Sequence, residues 1–237
     1  MVASSDANVA RVAGLLIASA SLLSIIVILH HPSVQLSDAA HLIEQVRASA
    51  GLDRWVHGVL AVMFTALALA MVSLATAMGF GRASVLVGLA AYGLFCIFLC
   101  QAIELDGFVT PRLAERCPSS LEACAAQLQP LFLLVSVQIE TATRFALFAI
   151  ALGIASFSLG LTAHGTWGKS LGGLGMASAA AQLWLLFMAH SRLTPLSLVG
   201  LLAPQVVWHL AIAASMLGGL GVFGDPRSRV ARQVAAA

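Results

Sequence analysis

The chain has 237 residues, of which 60% are apolar and only 9% are Asp, Glu, Lys or Arg. With a mean hydropathy of +0.97, this composition indicates a protein with several membrane-spanning segments and leaves no room for a separate soluble domain. The net charge of +2 and the lack of a basic run exclude a nucleic-acid-binding role.

Six apolar segments reach the length of roughly 20 helical residues that a hydrocarbon core of about 30 Å requires. They lie near residues 12–30, 56–78, 84–104, 130–161, 171–189 and 204–223. The first segment lacks the small-residue cleavage pattern of a signal peptide, so we keep it as a membrane helix. The sequence therefore predicts an all-α fold, with one polytopic domain of six transmembrane helices over residues 1–237.

The connections between these segments predict the orientation. Arg82 and Lys169 lie in short connections, which places those connections and both chain termini in the cytoplasm. Cys117 and Cys124 lie in the hydrophilic stretch 106–129, which is then an external loop in an oxidising compartment. We expect these two cysteines to form a disulfide.

Two further segments have a predicted form. Apolar residues recur at helical spacing over 32–55, which predicts an amphipathic helix in the membrane interface. Near the C-terminus, Pro204 either kinks a long helix or begins the last one, and we prefer the second. That start places His209 roughly 8 Å below the outer surface.

Ionisable side chains near the outer helix ends are the functional candidates, because a charge within a membrane is costly unless it is paired or wetted. Helix four carries Glu140 and Arg144 one turn apart, as a pair that either pins helix packing or takes part in chemistry. The predicted ligand or proton pocket consists of His57, Glu104, Glu140, Arg144 and His209, with His30 and His190 at its rim.

Neutral imidazole is the commonest ligand of transition metals, so the histidines leave a cofactor open. The metal candidates are His57, Glu104 and His209, and bis-histidine haem is a second possibility. The plain alternative is that headgroups and water satisfy the imidazoles near the helix ends. His209 has apolar neighbours, so we expect it to be buried against Glu104, Glu140 or His57.

Three short motifs stand out in the first half of the chain. His31-Pro32 closes the first apolar segment, Arg54-Trp-Val-His-Gly58 opens the second, and Asp106-Gly-Phe-Val-Thr-Pro111 follows the third. This pattern resembles small, uncharacterised bacterial inner-membrane proteins with six helices. The resemblance implies a multi-pass protein of the bacterial inner (plasma) membrane and brings no function with it.

The leading functional hypothesis is an outward-facing pocket that binds, senses or transfers a small ligand, a metal ion or a proton. One alternative is a membrane oxidoreductase that holds haem or another redox centre. Another is a structural partner subunit of a membrane complex. Besides the lipid bilayer, the glycine-rich later helices indicate a second membrane protein or another copy of the chain as a partner.

Overall fold

The computed structural model describes residues 2–32, 39–117, 121–188 and 193–218. Within these ranges the chain forms seven α-helices and one π-helical turn, and no strand. The helices are α1 (Val2–Leu29), α2 (Ala39–Met78), α3 (Ala83–Glu104), α4 (Thr110–Glu115), α5 (Leu121–Leu161), α6 (Gly165–Met188) and α7 (Pro195–Leu217). The π-turn, Leu105–Val109, joins α3 to α4.

Six of these helices are long and apolar enough to cross a membrane, which confirms the predicted all-α fold with six helices of membrane-spanning length. Only α4, with six residues, is too short. Successive spans run in opposite directions, so α1, α3 and α6 end where α2, α5 and α7 begin. We call this side of the bundle the disulfide end.

Two helices are much longer than a bilayer core. The helix α2 has 40 residues and α5 has 41. At about 1.5 Å per residue each measures roughly 60 Å, twice the thickness of the hydrocarbon core. The predicted interfacial helix over 32–55 is thus largely the first part of α2, and the predicted external loop 106–129 is largely helical.

The extensions of α2 and α5 enclose α4 at the disulfide end. A small apolar cluster fills the space between them and consists of Ile43, Val46, Ala114, Cys117, Ala125 and Phe132. The predicted disulfide is present between Cys117 and Cys124, whose Cα atoms lie 5.6 Å apart. It ties the end of α4 to α5, and closing so short a loop stabilises the fold by roughly 2–3 kcal/mol in the chain-entropy view.

The last helix begins earlier than the sequence predicted. Thr194 caps α7 in a reciprocal pair with Ser197, and Pro195 occupies the first turn, where a missing N–H is harmless. The helix then continues through Pro204, so the predicted start at Pro204 is wrong. His209 is therefore 14 residues, or roughly 21 Å, from the start of the helix.

Small residues set the contact between α5 and α6. A Cβ atom at Gly168 would lie 2.4 Å from the carbonyl oxygen of Leu161, and one at Gly172 would lie 2.7 Å from that of Ser158. Only glycine permits backbones to approach so closely. This part of the glycine-rich face is therefore occupied within the chain, and the docking of a partner subunit stays a prediction.

Candidate metal centre

Four ionisable side chains from three elements meet at the disulfide end. His31 follows the last turn of α1, and Asp106 lies on the π-turn after α3. Asp53 and His57 are one turn apart on α2, so both point from the same face of that helix. Single π-helical turns are frequent at functional sites, because the extra residue redirects one side chain.

Three ligand-type atoms in this cluster form a nearly equilateral triangle. His31 Nε2 and His57 Nε2 are 3.4 Å apart. Asp106 Oδ2 lies 3.3 Å from His31 Nε2 and 3.2 Å from His57 Nε2. The three atoms thus converge on one point from three separate elements.

The other ring nitrogens determine which tautomer each histidine adopts. His57 Nδ1 lies 2.8 Å from the backbone carbonyl oxygen of Asp53, and His31 Nδ1 lies 2.9 Å from that of Pro32. Because a carbonyl oxygen only accepts hydrogen bonds, each Nδ1 must carry the proton and donate. In the neutral rings, each Nε2 therefore presents a lone pair to the centre of the triangle.

With both rings neutral the triangle brings together three acceptors, whereas a proton on either Nε2 turns that ring into a donor to Asp106 Oδ2. The all-acceptor form is unfavourable in partly buried surroundings unless a cation, either a proton or a metal ion, occupies it. Metal-ligating histidines typically donate the second ring nitrogen to a carbonyl or carboxylate, as both rings do here. Both Nδ1 atoms thus have the carbonyl partners that a metal-ligating histidine needs.

The lengths of the edges distinguish between coordination geometries. With metal–ligand bonds of roughly 2.0–2.1 Å, neighbouring ligands are about 3.3–3.4 Å apart in a tetrahedron and about 2.9 Å apart in an octahedron. The observed edges of 3.2, 3.3 and 3.4 Å match one face of a tetrahedron. The donor set, two imidazoles and one carboxylate, suits zinc and related transition metals.

Asp53 adds a second carboxylate beside the triangle. Its side chain is 9% exposed, and its Oδ1 lies 3.1 Å from His57 Nδ1 and 3.8 Å from His31 Nε2. Oδ1 nevertheless accepts no hydrogen bond from the described residues. The reason is directional, since the proton on His57 Nδ1 points to the Asp53 carbonyl oxygen. Oδ1 therefore lies close to both rings, within 4.8 Å of a ligand atom of each, as a free acceptor.

Gly107 gives His57 its position. A Cβ atom at residue 107 would lie 2.3 Å from His57 Cβ and 2.4 Å from His57 Cγ, so a larger residue cannot share this space. Arg54, three residues before His57, forms an ion pair of 2.6 Å with Glu115 of α4. Both contacts fix α2 against the π-turn and α4, and thereby fix the distance between His57 and Asp106.

Of the predicted pocket residues, the structure brings only His57 into this cluster. His209 is fully buried, as expected, but its partners differ from the predicted ones. Its Nε2 lies 2.6 Å from the hydroxyl oxygen of Tyr92, and its Nδ1 lies 3.2 Å from that of Ser21. Ser21 precedes His31 by ten residues, roughly 15 Å along α1. His209 thus joins α1, α3 and α7 deep within the bundle, away from the cluster of His31, Asp53, His57 and Asp106.

The predicted pair on α5 is present. Arg144 donates through Nε and Nη2 to one oxygen of Glu140, at 3.0 and 2.9 Å. Both side chains are about one-third exposed, at 30% for Arg144 and 36% for Glu140. Glu104 is exposed as well. These three residues belong to the outer surface of the bundle, so the predicted pocket is not assembled as one site.

The predicted rim residues also lie outside the cluster. His30 is exposed, and its Nδ1 contacts the carbonyl oxygen of Ile26 one turn earlier. His190 lies outside the described residues. His30 and His31 are neighbours in sequence, but only His31 points to the other helices.

Sequence reasoning missed His31, Asp53 and Asp106 as site residues. A signal for them was present, because the three short motifs that carry the resemblance to bacterial inner-membrane proteins contribute or flank all four members of the cluster. The first and third motifs lie at the ends of α1 and α3, and the second lies within α2 at the level of the disulfide end. Reading the motifs together, and not one histidine at a time, would have found the site.

A shallow groove lies on the outer face of α2, next to the site but separate from it. Its lining is almost entirely apolar and consists of Arg54, Trp55, Gly58, Val59, Val62 and Met63. None of the four cluster residues lines it, so the groove is not part of the cluster.

No family model, curated protein or solved structure matches this chain.

Proposed function

We propose that this multi-pass membrane protein binds one divalent transition-metal ion, with zinc the best fit, through His31, His57 and Asp106. The observation that carries the proposal is the triangle of three ligand-type atoms with edges of 3.2–3.4 Å, in which both Nδ1 atoms already have carbonyl partners. A single ion at the centre satisfies all three lone pairs at once.

A proton is the rival occupant, since a proton on either Nε2 turns that ring into a donor to Asp106 Oδ2, which lies 3.2 Å from His57 and 3.3 Å from His31. A single proton pairs two of the three atoms, whereas a metal ion would contact all three. Two imidazole ligands also favour zinc over magnesium or calcium, which prefer ligand sets made only of oxygen atoms. Haem requires the two Nε2 atoms on opposite sides of its iron, about 4 Å apart with the macrocycle between them. The His31 and His57 rings meet edge to face with centroids 4.9 Å apart, which leaves no room for it.

We further propose that the disulfide end faces the outer compartment of a bacterial inner membrane and that both termini are cytoplasmic. The disulfide supports this orientation, because such bonds persist in oxidising compartments. Arg82 and Lys169 lie at the opposite end, as the positive-inside rule requires. In this orientation the protein takes its metal ion from outside the cytoplasm.

Calorimetric titration of the detergent-purified, metal-stripped protein with Zn²⁺ tests the proposal. We expect one equivalent to bind the wild-type protein and the affinity to fall by more than about 100-fold in His31→Gln, His57→Gln and Asp106→Asn. The matched control is His30→Gln, which removes a histidine adjacent to the site and should bind like the wild type.

Two results would contradict the metal assignment. One is a wild-type protein that binds no Zn²⁺ but shows proton-linked stabilisation that His31→Gln abolishes, which identifies a proton site. The other is a Soret band in the purified protein, which supports the oxidoreductase alternative.

A further inference from the structure

Arg82, at the end of the bundle opposite the disulfide end, uses only one nitrogen of its guanidinium within the protein. It immediately precedes α3, and its Nη1 donates to the carbonyl oxygen of Gly160 in the last turn of α5, at 3.2 Å, and to Nε2 of His164. Its Nε and Nη2 make no hydrogen bond within the part of the chain that the structure describes. The N–H groups of these two atoms form a fork that matches two oxygens of a carboxylate or a phosphate.

The same fork of Arg144 is occupied within the chain. Arg144 donates through Nε and Nη2 to a carboxylate oxygen of Glu140, at 3.0 and 2.9 Å. For Arg82 the sequence supplies no such partner nearby, because no Asp or Glu occurs over 54–103 or 141–224. These ranges contain the ends of α2, α5 and α7 and the starts of α3 and α6, which meet at this end of the bundle.

The acidic residues outside those ranges belong elsewhere. Asp6 is on α1, which packs mainly on α2 and α7, whereas α3 packs mainly on α5. Asp225 lies outside the described residues. The donors of Arg82 therefore face a part of the surface where the chain itself provides cations and no anion.

Arg82 also lies at the level of lipid headgroups. It comes directly before one membrane-spanning helix, and His164 lies in the short turn between two others. Phe80 and Trp167, in or next to these turns, are 43% and 48% exposed, and aromatic rings are enriched where a membrane meets water. Lys169, in the first turns of α6, is exposed and adds a second positive charge.

We infer that the partner of the Arg82 fork is the phosphate of an anionic phospholipid in the leaflet at this end of the bundle. Nε and Nη2 donate to two phosphate oxygens, while the contacts of Nη1 with Gly160 and His164 hold the guanidinium in place. The charge of Lys169 favours a headgroup with a net negative charge over a zwitterionic one. This lipid site is independent of the metal centre, which lies at the other end of the bundle.

Native mass spectrometry of the detergent-purified protein tests this inference by counting bound lipids. The protein is titrated with phosphatidylglycerol and with phosphatidylcholine of the same acyl chains, which differ in net charge. We expect the wild type to bind one phosphatidylglycerol at least about 10-fold more tightly than phosphatidylcholine, and Arg82→Gln to lose this preference, because a hydrogen bond to a charged group accounts for about a tenfold or greater change in affinity. Arg112→Gln removes an exposed arginine at the disulfide end and is the matched control, which should keep the preference.

Arg82→Lys separates the fork from the charge and serves as the test if melting in detergent shows that Arg82→Gln does not fold. Lysine keeps the positive charge but has no bidentate fork, so the preference should fall below that of Arg112→Gln. Four results would overturn the inference: equal binding of both lipids by the wild type, an unchanged preference in a folded Arg82→Gln, an unchanged preference in Arg82→Lys, or displacement of phosphatidylglycerol by inorganic phosphate. The last result would identify a site for free phosphate and not for a lipid.

Discussion

Gly107→Ala should abolish metal binding although residue 107 is not itself a ligand. The added Cβ atom would lie 2.3 Å from His57 Cβ. Non-bonded carbon atoms require about 3.5 Å, so His57 must move by roughly 1 Å. Metal coordination tolerates deviations of only about 0.2 Å in bond length, so a shift of this size removes His57 from the ligand set.

Loss of an outer hydrogen-bond partner of a metal ligand typically lowers metal affinity by about 10- to 100-fold. Because Gly107→Ala displaces a direct ligand, we expect Zn²⁺ affinity to fall by at least about 100-fold. Overpacking also costs about 1–3 kcal/mol of stability, so folding is checked in parallel by melting in detergent. Affinity is measured by calorimetric titration of metal-stripped protein, as for the ligand variants.

Gly58→Ala provides the matched control. Gly58 is adjacent to His57 on α2, and a Cβ atom there would meet nothing within 4 Å. We expect wild-type Zn²⁺ affinity and a melting temperature at or slightly above that of the wild type, since alanine favours the helix. A folded Gly107→Ala protein that binds Zn²⁺ as tightly as Gly58→Ala would refute the position that we assign to His57.

Three further predictions concern the rest of the bundle. His209→Ala should lower the free energy of unfolding by about 2–4 kcal/mol, because it leaves a cavity and an unpaired Tyr92 hydroxyl. It should leave Zn²⁺ affinity unchanged, and a loss of Zn²⁺ binding would contradict the placement of His209 outside the metal site. Glu140→Gln should cost about 1 kcal/mol, and Arg144→Leu added to it should cost less than the sum of the two single losses in detergent melts; additive losses would show that the pair is not coupled. Cys117 and Cys124 should react with an impermeant thiol reagent in intact cells after reduction, and labelling only after the cytoplasm is opened would reverse the proposed orientation.

Much of the fold could be predicted from the sequence, because membrane insertion depends on the length and polarity of each segment. Six apolar segments and a pair of loop cysteines were sufficient for the bundle and the disulfide. The ends of the helices were less predictable. Pro204 lies inside α7. In a buried helix the neighbouring helices and side chains compensate for the missing N–H, so proline there does not mark a boundary.

The candidate site was only partly predictable, for a different reason. His57 was identified from its place at the start of a membrane segment, and the burial of His209 from its apolar neighbours. Which side chains meet depends on the rotation of each helix about its axis, which the sequence of a uniformly apolar helix does not specify. Asp106 lies on a π-turn that follows α3, whereas the sequence predicted residues 106–129 as an external loop.

X-ray absorption at the zinc K-edge of the zinc-loaded, purified protein tests the central claim most directly. The site predicts a first shell of nitrogen and oxygen atoms at roughly 2.0–2.1 Å, with two imidazole rings in the outer-shell scattering and about four ligands in all. His57→Gln should remove one imidazole contribution, whereas His30→Gln should leave the spectrum unchanged. A first shell of oxygen atoms alone, or a spectrum that His57→Gln does not alter, would contradict a metal centre at His31, His57 and Asp106.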